Sequence, residues 1–470
     1  MRELTVLTPT GCIGNRGLHE EALIKALDDM KPGVIAVDGG SLDPGPWYLG
    51  AGHAHSPMVN IRRDLEIILR EGVGKRKIPF VVGSSGGSGA KPHVDLTLKV
   101  VKGIAQELNL DFKVGYIYAD VDQEDLARRL RNGTPARKVP THIMGDQLTE
   151  EEARRAARIV AMMGAEPIMK AFKEGADVVL AGRAVDAAVV AAYPIMQGFD
   201  RALALHMGDI MECGELALVD KQQVTKLLAP NRVPVVGTIR EDHFIIRAGH
   251  PGMICTVESA SAHSLYERDT HTQLELPGGI LDKGASRFTQ ADERTVMVSG
   301  TQFYPKPFTV LLEGVQHIGY RTIGILGARN PRTIAQIDDI LAHEQRTVQA
   351  RFGGLGKFEV YYHVYGKGAV LGAWEPQHNP TPQELGIVVD VVAESQRLAR
   401  DIAEDLCLKI AFSRYAGRTT TAGNVGYLFS PNVIDVGEVY TTTIYHQMPV
   451  NDPLELFDVR VQHITEVEVQ

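Results

Sequence analysis

The sequence has few cysteines and no excess of positive charge. Its 470 residues include four cysteines, at positions 12, 213, 255 and 407, with no CxxC pair. Such isolated cysteines exclude a disulfide framework and a zinc finger, and they predict reduced thiols in a cytoplasmic protein. There are 49 Lys and Arg against 58 Asp and Glu, a formal net charge of -9. Because nucleic-acid binding needs a basic surface, we expect no nucleic-acid partner.

The sequence also lacks a long uninterrupted hydrophobic run. Its most apolar stretch, residues 178–196, contains Arg183 and Asp186, and two such charges are costly inside a bilayer. The first residues are typical of a short strand rather than of a signal peptide. We therefore expect a cytoplasmic protein with no membrane partner.

Strands and helices alternate five times in the first half of the chain. The predicted strands are Leu4–Leu7, Val34–Val37, Pro79–Val82, Lys113–Tyr118 and Asp177–Ala181. This order predicts an α/β fold, with a parallel sheet and flanking helices. Ligands of such sheets bind outside the carboxyl ends of the strands. The polar and glycine-rich turns after these strands therefore predict a site at one edge.

The pattern changes near Leu228. Short β-rich runs come first, and a strand–helix–strand–strand–helix–strand order follows between Tyr320 and Tyr445, with Ser395 as an N-cap. That order is typical of the split βαβ, ferredoxin-like arrangement. The sequence thus predicts an α/β domain at residues 1–228, which carries the site. It predicts an α+β domain at residues 229–470, β-rich at first and ferredoxin-like later.

A glycine-rich turn, Gly83–Gly89, follows the third predicted strand. Glycines permit close approach of a ligand, and amides at a helix N-terminus favour anions. Ser84, Ser85, Gly86 and Gly87 are therefore candidate ligands for a phosphate or carboxylate. The spacing matches neither a P-loop nor a dinucleotide motif, so no nucleotide site is predicted. A tight strand–helix turn is the structural alternative.

Two carboxylates, Asp38 and Asp43, lie on either side of a Gly-Gly pair after the second strand. They are candidates for acid–base catalysis or for binding Mg²⁺, the only cofactor that the sequence suggests. Capping of the turn is the alternative. His53 and His55 have the HxH spacing of metal ligands, but no partner set follows. We therefore favour a surface loop there and expect no tight transition-metal site.

Charged residues also follow the fifth predicted strand. Arg183 and Asp186 are candidate substrate-binding residues. Arg183 could hold a substrate carboxylate with two hydrogen bonds, or it could pair with Asp186 at helical spacing. Glu212 and Cys213 could reach the same edge, which makes Glu212 a third candidate catalytic residue. For Cys213 no partner histidine can be assigned, and a buried structural thiol is more common than a nucleophile.

Several of these segments resemble the acyclic terpene utilisation AtuA-like family. Residues Gly175–Asp186 resemble its GADIVITGR..D segment, and Met211–Gly214 looks like its LECGA segment. The loop Ser84–Gly89 lies where the family has a glycine-rich turn, but it reads Ser-Ser-Gly-Gly-Ser instead of Asn-Ala-Gly-Gly. A looser similarity continues at Thr421–Asn424 and Ser430-Pro431.

The resemblance implies a cytoplasmic protein of carboxylic-acid or acyl-CoA catabolism. It supplies no catalytic assignments. It also implies a small partner protein, because some members are accompanied by, or fused to, a small extra domain that this sequence does not carry. We further expect a homo-oligomer.

Three functions are compatible with these residues. The leading hypothesis is a lyase or hydratase acting on a small organic acid or its thioester. Arg183 and the loop Ser84–Gly89 would bind the anionic group, and Asp38 or Asp43 would supply the acid–base chemistry or bind Mg²⁺. The second hypothesis is an amide or ester hydrolase with a metal held by the HxH histidines and an aspartate. The third is a non-catalytic subunit that binds a metabolite.

Overall fold

The computed structural model describes residues 2–15, 17–139, 147–220, 233–265, 270–376, 382–421 and 424–465. The chain divides into two compact units. Unit 1 comprises residues 1–316 and 442–470, and unit 2 comprises residues 317–441. The boundary predicted at residues 228 and 229 lies outside the described residues. The compact units differ from the predicted domains, because strands that follow that boundary complete the large sheet of unit 1.

The secondary structure is mixed α/β throughout. In chain order, the strands are β1 (Leu4–Thr8), β2 (Val34–Asp38), β3 (Phe80–Gly83), β4 (Lys113–Tyr118), β5 (Arg137–Lys138), β6 (Arg158–Met162), β7 (Val178–Ala181), β8 (Val219–Asp220), β9 (Val235–Ile239), β10 (His243–Ala248), β11 (Met253–Ile254), β12 (Gln273–Leu276), β13 (Gly279–Asp282), β14 (Arg287–Asp292), β15 (Thr295–Ser299), β16 (Gln302–Pro305), β17 (Thr309–Ala328), β18 (Phe358–Tyr365), β19 (Leu385–Ala393), β20 (Val425–Tyr427), β21 (Val433–Pro449) and β22 (Asp458–His463). The helices are α1 (Glu20–Met30), α2 (Pro46–Ala51), α3 (Met58–Ile68), α4 (Lys91–Glu107), α5 (Gln123–Arg131), α6 (Glu150–Arg155), α7 (Ala165–Lys173), α8 (Asp186–Met196), α9 (Arg201–Met211), α10 (Val257–Ser264), α11 (Pro331–Ala335), α12 (Ile337–Phe352) and α13 (Gln396–Phe412). Short π- and 3-10-helical segments lie at Leu69–Gly74, Gly214–Ala217 and Gly372–Trp374.

The largest sheet of unit 1 has the strand order β14-β15-β10-β9-β1-β2-β3-β7-β4-β22. Its central strands β1, β2, β3, β7 and β4 are mutually parallel, which confirms the predicted parallel sheet. Strand β9 pairs antiparallel with β1, and β22 pairs antiparallel with β4. The short runs predicted after Leu228 thus extend the same sheet through β9, β10 and β15.

Helices cover both faces of the parallel strands. Along β1, Val6 packs in one hydrophobic core and Leu7 in the other, because successive side chains of a strand point to opposite faces. One core contains side chains of α1, α3 and α4, and the other contains side chains of α7, α8 and α9. Burial on both faces explains why these strands are nearly continuous apolar runs. None of the helices in the described ranges combines the length and apolar character needed to cross a bilayer.

Unit 2 has the predicted split βαβ arrangement. Its sheet follows the order β18-β19-β17-β21, and β19 pairs antiparallel with both β17 and β18. Helix α13 packs on β19 and on α12. The hydroxyl of Ser395 accepts a hydrogen bond from the backbone N–H of Leu398 at 3.3 Å, so Ser395 is the N-cap of α13 as predicted.

The packing of α3 on the sheet leads to a stability prediction. Leu65 is fully buried in one of the two cores, whereas Val59 on the same helix is 73% exposed. We expect Leu65→Ala to lower the free energy of unfolding by about 2–5 kcal/mol, because it removes buried apolar surface and leaves a cavity. Val59→Ala is the matched control and should change it by less than about 0.5 kcal/mol. Denaturant unfolding of both variants measures the difference; equal effects would contradict the described packing.

Candidate functional site

Loops from neighbouring strands meet at the carboxyl edge of the parallel sheet in unit 1. The backbone N–H of Ile13, after β1, donates to the carbonyl of Asp38 at 3.0 Å. The N–H of Arg183, after β7, donates to the carbonyl of Gly89 at 3.0 Å, in the loop that follows β3. These backbone bonds fix the loops to one another and determine where their side chains point.

The glycine-rich loop after β3 mainly makes hydrogen bonds to the loop that follows β7. The Oγ of Ser84 accepts hydrogen bonds from Nη1 of Arg183 at 3.1 Å and from the N–H of Ala184 at 3.3 Å. Ser85 is fully buried, and Gly86 lines a void of about 10 Å³. The predicted ligands in this loop line neither the acidic cavity nor the larger cavity described below. This geometry favours the tight-turn alternative for the loop.

The ring of His55 packs between glycines of two loops. A Cβ atom at Gly40 would lie 1.8 Å from Nε2 of His55, and one at Gly87 would lie 2.0 Å from its Cδ2. Both positions therefore require glycine. Burial lowers the pKa of His55, and the Asp43 carboxylate acts in the opposite direction with a smaller effect. The ring is consequently neutral at neutral pH.

Arg183 pairs with Glu313, a carboxylate that no sequence pattern links to the site. Its Nε donates to Oε2 of Glu313 at 2.6 Å, and Nη2 donates to Oε1 at 3.3 Å. Its Nη1 lies 3.8 Å from Oδ1 of Asp186, so the expected pairing with Asp186 is the weaker contact. Burial alone would lower the pKa of Arg183. The charge and the hydrogen bonds of Glu313 act in the opposite direction, and the net pKa lies above the usual arginine value, so the guanidinium stays charged. Because Glu313 occupies two of its donors, Arg183 is not a free clamp for a substrate anion.

An acidic cavity of about 380 Å³ lies at this edge. Its lining brings together four residues predicted to belong to the site, namely Asp38, Asp43, Asp186 and Glu212, of which Asp43 is exposed. The remaining polar groups of the wall include Cys12, Asn15, His55, Cys213 and Glu215. No lysine or arginine of the described residues contributes to this wall, so the field inside it is negative.

The pKa of Asp38 is raised in this environment. Burial raises its pKa well above the usual aspartate value, and the charge of Asp186 raises it further. Arg183 and the N–H groups of Gly39 and Gly40 oppose the shift only in part; the Gly40 N–H donates to Oδ2 at 2.8 Å. Within the described residues, Oδ1 of Asp38 is buried without a hydrogen-bond partner. Asp38 is therefore a carboxyl group that holds its proton more tightly than an exposed aspartate does.

The thiol of Cys12 experiences the same field. Burial raises its pKa well above the usual value, and the carboxylates of Asp38 and Asp186 add to the shift. Cys12 is therefore protonated at neutral pH and is a poor nucleophile. A role for Cys12 in the site could not be recognised from the sequence, because a lone cysteine in a turn carries no pattern.

A larger cavity of about 640 Å³ adjoins the acidic one and lies within unit 1. The two share Ser41, Asp43, Asp186 and Glu212 as lining residues. About half of its remaining wall is apolar, from Leu42, Val139, Met162, Val185, Leu274, Leu276, Pro277 and Leu311. The other half is polar and includes the charged residues Lys138, Arg183, Asp209, Glu275 and Glu313. A cavity of this size and character suits a small molecule with an apolar chain.

The histidines of the HxH pair, for which the sequence favours a surface loop over a metal site, make separate contacts. The ring of His53 stacks on Trp47, with centroids 5.2 Å apart, and His55 packs on the two glycines. Among the described residues, the group with the geometry of a metal site is instead Glu212, Cys213 and His263, whose ligand atoms lie within 4.8 Å of one another. His263 lies in α10 and has no sequence signal that could have linked it to Cys213.

The Arg183–Glu313 pair gives a second prediction. Glu313→Gln leaves a buried guanidinium without its counter-charge, and we expect a loss of about 3–5 kcal/mol in the free energy of unfolding. Arg183→Met/Glu313→Leu removes both charges and should recover much of that loss, because a well-packed apolar pair often replaces a buried ion pair without cost. Denaturant titrations of the two variants measure this. Equal stability of wild type and Glu313→Gln would show that the pair is not formed.

The raised pKa of Asp38 predicts a pH dependence of stability. The folded state holds this proton at pH values where the unfolded state, with an aspartate pKa of about 3.9, has released it. The free energy of unfolding should therefore fall as pH rises from about 4 toward the raised pKa. Asp38→Asn removes the titrating group, so its curve should be flatter over that window.

Asp125→Asn is a control of opposite sign. Hydrogen bonding to Arg129 lowers the pKa of Asp125, so its contribution is present above the unfolded-state pKa and is lost as pH falls. Asp125→Asn should leave the decline of stability with rising pH in place. An Asp38→Asn curve parallel to that of wild type would contradict a raised pKa at Asp38.

Comparison with known proteins agrees with the segments noted in the sequence. No curated protein and no solved structure matches the chain. The model of the acyclic terpene utilisation family protein AtuA matches residues 63–447, a range that contains β3, β7, Arg183, Glu212 and most of the 470 residues. The chain therefore belongs to the acyclic terpene utilisation AtuA family.

Proposed function

We propose that this protein is a cytoplasmic enzyme of the lyase and hydratase class that adds water to, or removes it from, an acyclic terpenoid acyl compound. The observation that supports this most is Asp38, a half-buried residue with a buried Oδ1, whose pKa is raised by desolvation and by Asp186. A carboxyl group that holds its proton beside a second carboxylate supplies an acid and a base within one site. Family membership supports acyclic terpenes as the substrate class.

The reaction divides between the two carboxyl groups. In the hydration direction, the Asp186 carboxylate accepts a proton from water while the water oxygen bonds to the β-carbon of a double bond conjugated to a carbonyl. Asp38 donates its proton to the α-carbon, so that one molecule of water is added in total. The proton then passes from Asp186 to Asp38, which restores both groups. Elimination follows the same path in reverse.

The charge of the site favours a thioester over a free acid. Besides the protonated Asp38, four acidic side chains line the acidic cavity, and Arg183 is already engaged by Glu313. A carboxylate ligand would meet like charges at this edge, whereas the carbonyl of a thioester is neutral. The apolar wall of the larger cavity would hold the acyl chain, and the residues shared by the cavities would face the reacting carbons.

Several expectations from the sequence remain predictions, namely Mg²⁺ as a cofactor, a small partner protein and a homo-oligomer. The alternative functions are a metal-dependent amide or ester hydrolase and a non-catalytic metabolite-binding subunit. The hydrolase would release a free thiol from a thioester, and the binding subunit would bind the compound unchanged. A single assay therefore separates all three.

The test uses purified protein with the coenzyme A thioester of an α,β-unsaturated, branched acyclic terpenoid acid, and with the matching free acid. We expect mass spectrometry to detect a product heavier by one water from the thioester. Asp38→Asn should lower the rate by about 100-fold or more, because it removes the general acid. Asp125→Asn, a surface change, should retain it. Release of free thiol without hydration would favour the hydrolase, and unchanged substrate with measurable binding would favour the binding subunit.

A further inference from the structure

The side chains of Glu212, Cys213 and His263 converge at the wall of the acidic cavity. Glu212 is the C-cap residue of α9, Cys213 precedes the short helix Gly214–Ala217, and His263 lies in the last turn of α10. The carboxylate oxygen, the Sγ and the imidazole nitrogen all lie within 4.8 Å of one another. Glu212 and Cys213 belong to the lining of the cavity. Two separate segments of the chain thus deliver three different donor types to one point.

We propose that Glu212, Cys213 and His263 form a three-ligand site for a transition-metal dication of the zinc class. A thiolate and an imidazole are soft or borderline ligands, which bind Zn²⁺ or Co²⁺ well and Mg²⁺ poorly. The sequence predicts no tight transition-metal site and suggests Mg²⁺ at Asp38 or Asp43, so this proposal departs from both expectations.

The spacing of the donors is compatible with such an ion. Tetrahedral bonds of about 2.0–2.3 Å place pairs of ligand atoms about 3.4–3.8 Å apart. Donors within 4.8 Å of one another therefore reach this geometry by side-chain movements of about 1 Å. Rotation about side-chain bonds provides such movements without displacing the backbone.

The electrostatic surroundings also favour a dication. The carboxylates of Asp186 and Glu215 line the same cavity, and their charges attract a cation. Lys283, whose charge acts on His263, is itself paired with Asp209 at 3.0 Å. The positive charge that could repel a metal is thus neutralised locally.

Three protein ligands leave a coordination position for water or substrate, which is typical of catalytic rather than structural zinc sites. Because two of the ligands line the cavity, that position would face its interior. A metal there would polarise a carbonyl oxygen of the bound compound. The metal site rests on its own geometry, and it is measured without substrate, so it can stand or fall independently of the proposed hydration reaction.

The test uses the full chain, freed of metal by chelator and titrated with Co²⁺ alone. A cobalt–thiolate bond gives a charge-transfer absorption band in the near ultraviolet, and we expect this band to saturate at one equivalent. Cys213→Ser should abolish the band. His263→Ala and Glu212→Gln should each weaken Co²⁺ binding by about 100-fold or more, because each removes a ligand.

Two matched controls identify the ligands. Cys12→Ser changes the other thiol of the same cavity, and His55→Gln changes its other imidazole; both should retain the band. A second measurement does not depend on the variants folding: Zn²⁺ should protect Cys213 of the wild-type chain from alkylation, as located by peptide mass spectrometry. Absence of the band in wild type, or its retention in Cys213→Ser, would overturn the proposal, as would alkylation of Cys213 unaffected by Zn²⁺.

Discussion

The buried ion pair between Arg183 and Glu313 determines the chemistry of the edge where the parallel strands end. A guanidinium without a partner would be costly to bury and would neutralise the carboxylates around it. Glu313 takes two of its hydrogen bonds, and Ser84 takes another. The positive charge is thereby largely offset. Burial and the charge of Asp186 therefore dominate the pKa of Asp38, and both raise it. A site that could have bound anions is consequently acidic.

The arrangement of the two cavities separates two tasks. The larger one has an extensive apolar wall, and the smaller one is lined by carboxyl, thiol and imidazole groups. They meet at Asp43, Asp186 and Glu212. A ligand that spans both would place its hydrocarbon part in one and its polar part in the other. This division matches the chemistry of a branched acyl compound better than that of a small, fully polar acid.

The sequence predicted those parts of the structure that have a local signal. The parallel strands were recognisable because strands buried on both faces are apolar throughout, and Asp38 was recognisable because it ends such a strand. Strand β17 begins well before the strand predicted at Tyr320, since glycines such as Gly314 and Gly319 interrupt its apolar pattern. The partner of Arg183 lies 130 residues away. No periodicity or spacing links two residues at that separation, and the same holds for His263 and Cys213.

The packing of His55 against Gly40 and Gly87 restricts its side chain in the folded protein, before any ligand binds. Neither glycine leaves space for a Cβ atom beside the ring, so the two glycines lie against the imidazole and restrict its rotamers. Part of its rotational entropy is therefore lost when the chain folds, and less of it remains to be lost when a ligand enters the cavity. Each glycine thus affects the cavity by restricting the rotation of a neighbouring ring, although it has no side chain that could line the cavity.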